Sequence, residues 1–170
     1  MKLNYLLPIV LVLFLFGTSC KEEKKPHKIT KDEISIFIDQ WHKDAANANT
    51  KAYFEKISNT GIFIGTDPEE HWTKQAFYGF SSPYFENKKT WNFYAIDRNI
   101  FFSNDSSIVW FDEILNTWMG KCRSSGVIQL QNDSLKIEHY QLSVTVPNPK
   151  MTEFLELMRK ENTSKLPKDE

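Results

Sequence analysis

Two spacings of apolar residues divide the chain. Behind Thr30-Lys31-Asp32-Glu33, whose Thr and Glu have the separation of a capping box, Ile34, Phe37, Ile38, Trp41, Ala45 and Ala48 recur every three or four residues. That stripe predicts one long amphipathic helix. Thr50 can cap a second, short helix carrying Tyr53, Phe54 and Ile57. Ser58-Asn59-Thr60-Gly61 breaks it before a short buried strand, Ile62-Phe63-Ile64-Gly65. Asp67-Pro68-Glu69-Glu70 predicts a further helix start, with Asp67 as N-cap and Pro68 in the first turn. This helix would present Trp72, Ala76, Phe77 and Phe80 and stop near Ser81-Ser82-Pro83. From Trp91 the period becomes two. Alternation predicts long strands over about 91–102, 107–118, 122–131 and 134–146, with turns at Asn104-Asp105 and Asn132-Asp133 and Gly120 in a further connection. Pro147-Asn148-Pro149 ends the sheet, and a short amphipathic helix follows (Met151, Phe154, Leu155, Met158). Helices first and antiparallel strands afterwards make an α+β fold. A sheet curved around a few helices would bury one face and leave a cavity between the layers.

The residues ahead of the first helix change the picture of where the protein works. Lys2 precedes an apolar run from Leu6 to Phe16, closed by Gly17-Thr18-Ser19-Cys20. This is the order of a secretory signal peptide. At ~1.5 Å per residue such a run spans about 17 Å, short of the ~30 Å of a bilayer. The ending resembles the lipobox of bacterial lipoproteins, which makes Cys20 the lipidated residue and places the chain, lipid-anchored, in the bacterial cell envelope. The expected division is a signal peptide over 1–19, a charged tether over 20–29, one domain over 30–160 and a polar tail over 161–170.

Composition narrows the chemistry less. Hydrophobic residues at 41% and aromatic residues at 14% suffice for one core, and a formal net charge of -1 gives no field directed at nucleic acid. With Cys20 acylated, Cys122 has no disulfide partner and reads as a small strand residue rather than a nucleophile, since no histidine is near it in sequence. No metal-ligand spacing, glycine-rich phosphate loop or Ser/His/Asp order stands out, so neither metal nor cofactor is expected.

Four segments carry a likeness. Gly65-Thr66-Asp67-Pro68-Glu69-Glu70-His71-Trp72, Val109-Trp110-Phe111-Asp112-Glu113, Lys136-Ile137-Glu138-His139-Tyr140-Gln141-Leu142-Ser143 and Val146-Pro147-Asn148 resemble, in order and spacing, the SnoaL-like branch of the nuclear transport factor 2-like superfamily. Two positions depart from it: Leu135 stands where the last strand usually opens with tryptophan, and Gln141 where a second histidine is frequent. The resemblance implies a cone, a curved antiparallel sheet wrapped around the N-terminal helix with a pocket at the wide end. It also implies a tendency to form homodimers, and functions that range from acid–base enzymes to binding modules.

Candidate site residues follow from strand alternation. Leu135, Ile137, His139, Gln141 and Ser143 share one face, which continues from the core toward the pocket. His139 there is either a general base or a hydrogen-bonded part of the wall. Of Asp112 and Glu113 only one can enter the cavity: Ile108 and Trp110 share a face with Asp112, Val109 and Phe111 with Glu113, and the family pattern favours Glu113. A buried carboxylate needs a partner, and Arg123 on the next strand, opposite Asn116 or Thr117, is the candidate. Trp72 and Trp110 line either the cavity or the core. Asp67 and Glu70 read first as a cap and second as a site. His42, beside the apolar stripe, reads as surface or rim, and His27 and His71 as residues without a role. Tyr140, Leu142 and Val144 would form an apolar outer face. Three readings result: a domain binding a small polar or amphipathic ligand, an acid–base enzyme using His139 with Glu113 or Asp112, and a dimeric interaction module.

Overall fold

The computed structural model describes residues 29–131 and 134–164. Its elements run α1 (Lys31–Ala46), α2 (Thr50–Glu55), β1 (Ile57–Ile64), β2 (His71–Thr73), α3 (Lys74–Glu86), β3 (Tyr94–Phe102), β4 (Ile108–Thr117), β5 (Gly120–Gln131), β6 (Ser134–Val144), a 3-10 turn (Asn148–Lys150) and α4 (Met151–Ser164). The leader, Cys20, the tether up to residue 28 with His27, and the Asn132-Asp133 turn lie outside the described residues.

The capping box forms as its spacing requires: Thr30 Oγ1 accepts from Glu33 N at 3.2 Å, and Glu33 returns a carboxylate to Thr30 N at 2.8 Å. Ile34, Ile38, Trp41 and Ala45 then turn one stripe of α1 into the core. The six strands form one curved sheet in the order β2-β1-β6-β5-β4-β3. All neighbouring pairs are antiparallel except β1 and β6, which run parallel. The concave face closes over α1, and Trp41, Tyr53, Phe54, Phe77, Phe85 and Phe111 give the core its bulk.

Three expectations give way here. Asp67-Pro68-Glu69-Glu70 is a reversal, not a helix start. Glu69 N donates to Asp67 Oδ1 at 2.9 Å and Gly65 N to Glu70 O at 2.9 Å, turning the chain back so that Trp72 pairs with Phe63 as strand β2. The N-cap passes to Thr73, whose hydroxyl accepts from Ala76 N at 3.2 Å. Nor does α3 stop at Pro83. It runs on to Glu86, with Phe85 buried in the core and the Ser81 and Ser82 hydroxyls donating to the Phe77 and Tyr78 carbonyls. Ser58-Asn59-Thr60-Gly61 also breaks no helix boundary; it is an irregular stretch inside β1.

Two single-residue bulges matter most for the site. On β3, Ala95 pairs with Leu115 and Asp97 with Ile114, leaving Ile96 unpaired. On β6, Ile137 pairs with Ile128 and His139 with Val127, leaving Glu138 unpaired. Each bulge shifts the side chains beyond it to the opposite face.

Candidate functional site: a buried histidine, glutamate and arginine beside an aromatic cavity

Ser35, Asp39 and His42 follow one another on α1 at helical spacing, just beside the apolar stripe, and face the strands that the bulges have re-aimed. Beyond Ile96, β3 turns Arg98 inward, opposite Glu113 of β4. Glu113 Oε1 accepts from His42 Nε2 at 2.8 Å and from Ser124 Oγ at 2.9 Å. Its Oε2 accepts from Arg98 Nε at 2.8 Å and pairs with Arg98 Nη2 at 2.8 Å. Arg98 also donates to the Ser35 carbonyl at 3.0 Å, the Ser35 hydroxyl at 2.8 Å and Asp39 Oδ1 at 2.8 Å. The Glu113 side chain is 0% exposed, that of Arg98 7% and that of His42 6%.

Burial alone would push the Glu113 carboxyl up. The hydrogen bond and charge of His42, with the Arg98 guanidinium, outweigh it and hold the group below its ordinary range. An ionised Glu113 accepts on both oxygens, so the His42 nitrogen that faces it, Nε2, carries a hydrogen, while Nδ1 has no partner among the described residues. Ser124 has one proton, given to Glu113, and the phenol of Tyr140 lies within reach of the Glu113 charge. Burial first, then the Glu113 charge, keep that phenol neutral well beyond its usual range.

His42 also lines a cavity of about 280 Å³. Trp41, Tyr53, Phe63, Phe77, Trp91 and Tyr140 make most of its wall. Glu70, Lys89 and Trp118 edge it, Trp118 at 83% exposure in the tight loop before Gly120. Gly120 holds φ +94°, a conformation that favours glycine. Trp41 stacks on Tyr53 with centroids 5.0 Å apart. Among the described residues, the Trp41 indole N–H is the one buried side-chain polar group without a partner. No group of three His, Cys, Asp or Glu among them could hold a metal ion.

Residues 34–147 match the profile of the SnoaL-like domain. The chain belongs to the SnoaL-like domain family. Solved structures agree on the fold. It is similar to an NTF2-like protein of unknown function from Pseudomonas putida (9% identity, 69% of this chain and 87% of that one, TM-score 0.59). It is similar also to an NTF2-like protein from Cytophaga hutchinsonii (13% identity, 69% and 100%, TM-score 0.58). A third likeness is to a domain of unknown function with a cystatin-like fold from Nostoc punctiforme (12% identity, 80% and 95%, TM-score 0.56). No curated protein matches the sequence.

In this SnoaL-like domain Glu113 is the inward carboxylate, the one the family pattern favours where the apolar neighbours left both open, while Asp112 faces out. The expected partner is corrected. Arg123 pairs opposite Ile114 rather than Asn116 or Thr117, is exposed, and bonds Asp112 at 3.1 Å; Arg98 serves Glu113 instead. His139 is corrected too. The Glu138 bulge turns Tyr140 and Leu142 into the core and moves His139, Gln141 and Ser143 to the convex face, where His139 pairs opposite Val127 and Ile62. The apolar outer face assigned to Tyr140, Leu142 and Val144 therefore does not exist as such; only Val144 is exposed. Trp110 is exposed on the convex side and stacked on Phe101. Trp72 stacks on Phe80 outside the cavity wall, and Asp67 is exposed in the reversal. His42, read as rim, is the histidine of the cavity, and Cys122 is fully buried.

Proposed function

We propose that this domain binds a small, largely apolar molecule with one polar end, held between the ring walls with the polar end at His42. The observation that carries the reading is His42 itself: a cavity-lining imidazole whose Nε2 is tied to Glu113, in a space walled mostly by aromatic rings. Apolar walls give non-directional burial and a few convergent polar groups set orientation. Burying ~250 Å² of ligand at ~25 cal/mol per Å² contributes about 6 kcal/mol. Association costs at least ~4 kcal/mol, so the polar end decides the affinity. Three naphthalene probes test the reading: 2-methoxynaphthalene, 2-naphthol and 2-naphthoate. At least one should quench tryptophan fluorescence saturably with Kd below ~100 µM, and Leu142→Trp, which fills the cavity, should abolish it. Absence of saturable binding, or binding that survives Leu142→Trp, contradicts the proposal.

One observation favours a second reading, an acid–base enzyme of isomerase, dehydratase or hydrolase type. Nδ1 of His42 is without a partner while Glu113 orients the ring, the arrangement of a proton carrier. Deuterium incorporation next to the carbonyl of 2-tetralone in D₂O should exceed the buffer rate and fall to it in His42→Ala. Exchange at the buffer rate in the wild-type protein sinks this reading.

Two further proposals concern the setting. Lipid attachment at Cys20 in the bacterial envelope rests on the residue order of the leader; an acylated mass lost in Cys20→Ala would support it. A homodimer through the convex face rests on the Phe101–Trp110 stack, each ring 44% exposed; light scattering that gives a monomer at high concentration would remove it.

A further inference from the structure

The last helix carries an apolar stripe that the fold leaves without a seat. Met151, Phe154, Leu155 and Met158 recur at helical spacing along α4, yet each is 38–44% exposed. The main contact of α4 is with the 3-10 turn ahead of it, and none of its residues lines the cavity. A helix of 14 residues standing alone is marginal in water. Such a helix is held by the surface that its stripe covers.

The place where α4 leaves the sheet points to that surface. Tyr140 and Leu142 of β6 line the cavity. Just beyond them Thr145 donates twice to the Lys121 carbonyl, from its N at 3.2 Å and from its Oγ1 at 2.7 Å. Lys121 follows the Trp118-Met119-Gly120 loop, whose first two residues edge the cavity mouth. The fixed end of the connection therefore lies beside the rim. Pro147, Asn148 and Pro149, on the way to α4, are exposed. From Thr145 to Met151 the chain reaches up to ~20 Å when extended.

The rim is itself apolar and uncovered. Trp118 is 83% exposed, Phe80 42% and Tyr84 45%, and all three line the cavity. From Met151 to Met158 the stripe spans about 11 Å, against roughly 8 Å across a sphere of 280 Å³. It is long enough to bridge the mouth. Tethering decides whose mouth it meets. So short a connection holds α4 near its own rim at millimolar effective concentration, about 10³-fold above a second copy at micromolar concentration.

We propose that α4 is the cover of this cavity: its stripe seats on Trp118, Phe80 and Tyr84 of the same chain, and Phe154 and Leu155 complete the ring wall. The polar end of a bound molecule stays at His42, and its apolar end meets these two side chains instead of water. For the bound molecule this rests on the binding reading above; the seat of the helix stands apart from it.

Hydrogen exchange of the full chain, read at the amides of 151–158, tests the seat without any ligand. Those amides should exchange at least ~10-fold more slowly than in Phe154→Gln/Leu155→Gln, which keeps good helix formers and removes the stripe. Trp118→Ser, at an exposed position, should lose most of this protection, while Trp110→Ser on the convex face should keep it. Protection should be equal at about 2 and about 200 µM protein, as for a contact within one chain. Unprotected amides, protection that survives Trp118→Ser, protection lost in Trp110→Ser, or protection that falls on dilution (the sign of a second copy) each overturn the proposal. Saturable binding of 2-methoxynaphthalene should weaken at least ~5-fold in Phe154→Gln/Leu155→Gln, chiefly through faster dissociation. An unchanged Kd and dissociation rate would overturn the covering role. If α4 is protected as expected and no naphthalene probe binds, the binding reading falls and the seat of the helix stands.

Discussion

Glu113 and Asp112 are neighbours on one strand, and each bonds an arginine, yet they do different work. Asp112 faces the convex side and meets Arg123 at 3.1 Å, with side chains 32% and 57% exposed. Glu113 faces the concave side and meets Arg98 at 2.8 Å, with side chains 0% and 7% exposed. The outer pair exchanges water for a weak, screened attraction. The inner pair has no water to return to, so it depends on every bond in its network, and removing one member strands the others. Chemistry alone, an acid beside an arginine with a histidine at hand, describes both faces; burial separates the working set from the decorative one.

Four substitutions or titrations break or sharpen this contrast, the largest effect first. Glu113→Ala should cost about 3–5 kcal/mol of unfolding free energy in urea, because Arg98 and His42 lose their shared acceptor in the interior. The acid limb of stability should come next. Glu113 is held below its ordinary value, so its contribution is complete above the usual carboxylate range of about 4.3. It is lost as pH falls through the depressed folded value. In Glu113→Gln the curve of unfolding free energy below pH 5 should be shallower than in the wild-type protein. Asp112→Ala or Arg123→Ala should cost less than about 1 kcal/mol, and a double-mutant cycle should return a coupling of similar smallness. Smallest of all, His139→Ala should shift stability by no more than about 0.5 kcal/mol and leave probe binding unchanged. A cost for the outer pair equal to that for Glu113 would erase the distinction between the two faces.

The parts of the molecule that follow from repeating pattern were legible in the chain. The stripe Ile34, Ile38, Trp41 and Ala45 and the Thr30–Glu33 box appear where periodicity puts them, while alternation gave β4 its two faces and left open which of them, that of Asp112 or that of Glu113, turns inward. The site was less legible because two residues out of phase decide it. Plain alternation from Phe93 and Ala95 would turn Asp97 inward, and from Ile137 it would turn His139 inward. The bulges at Ile96 and Glu138 deliver Arg98 and Tyr140 instead. Neither bulge carries a glycine, so no local residue announces it. A signal did exist on α1, where Ser35, Asp39 and His42 form a polar row along the edge of the apolar stripe. Such a row fits a solvated border as well as a buried network, and Arg98 and Glu113 decide between them. The reversal at Asp67 shows the converse: a Pro-Glu-Glu turn and a helix cap share one residue vocabulary, and only the strand pairing of Trp72 with Phe63 chose between them.

The claim that the concave face is the working face, with His42 as its contact, is tested most directly by imidazole ¹H–¹⁵N correlation spectra of ¹⁵N-histidine-labelled protein titrated with 2-naphthoate. The account predicts that both ring nitrogens of His42 shift in a saturable way while those of His139 hold still. Saturable shifts at His139 with His42 unmoved would contradict it.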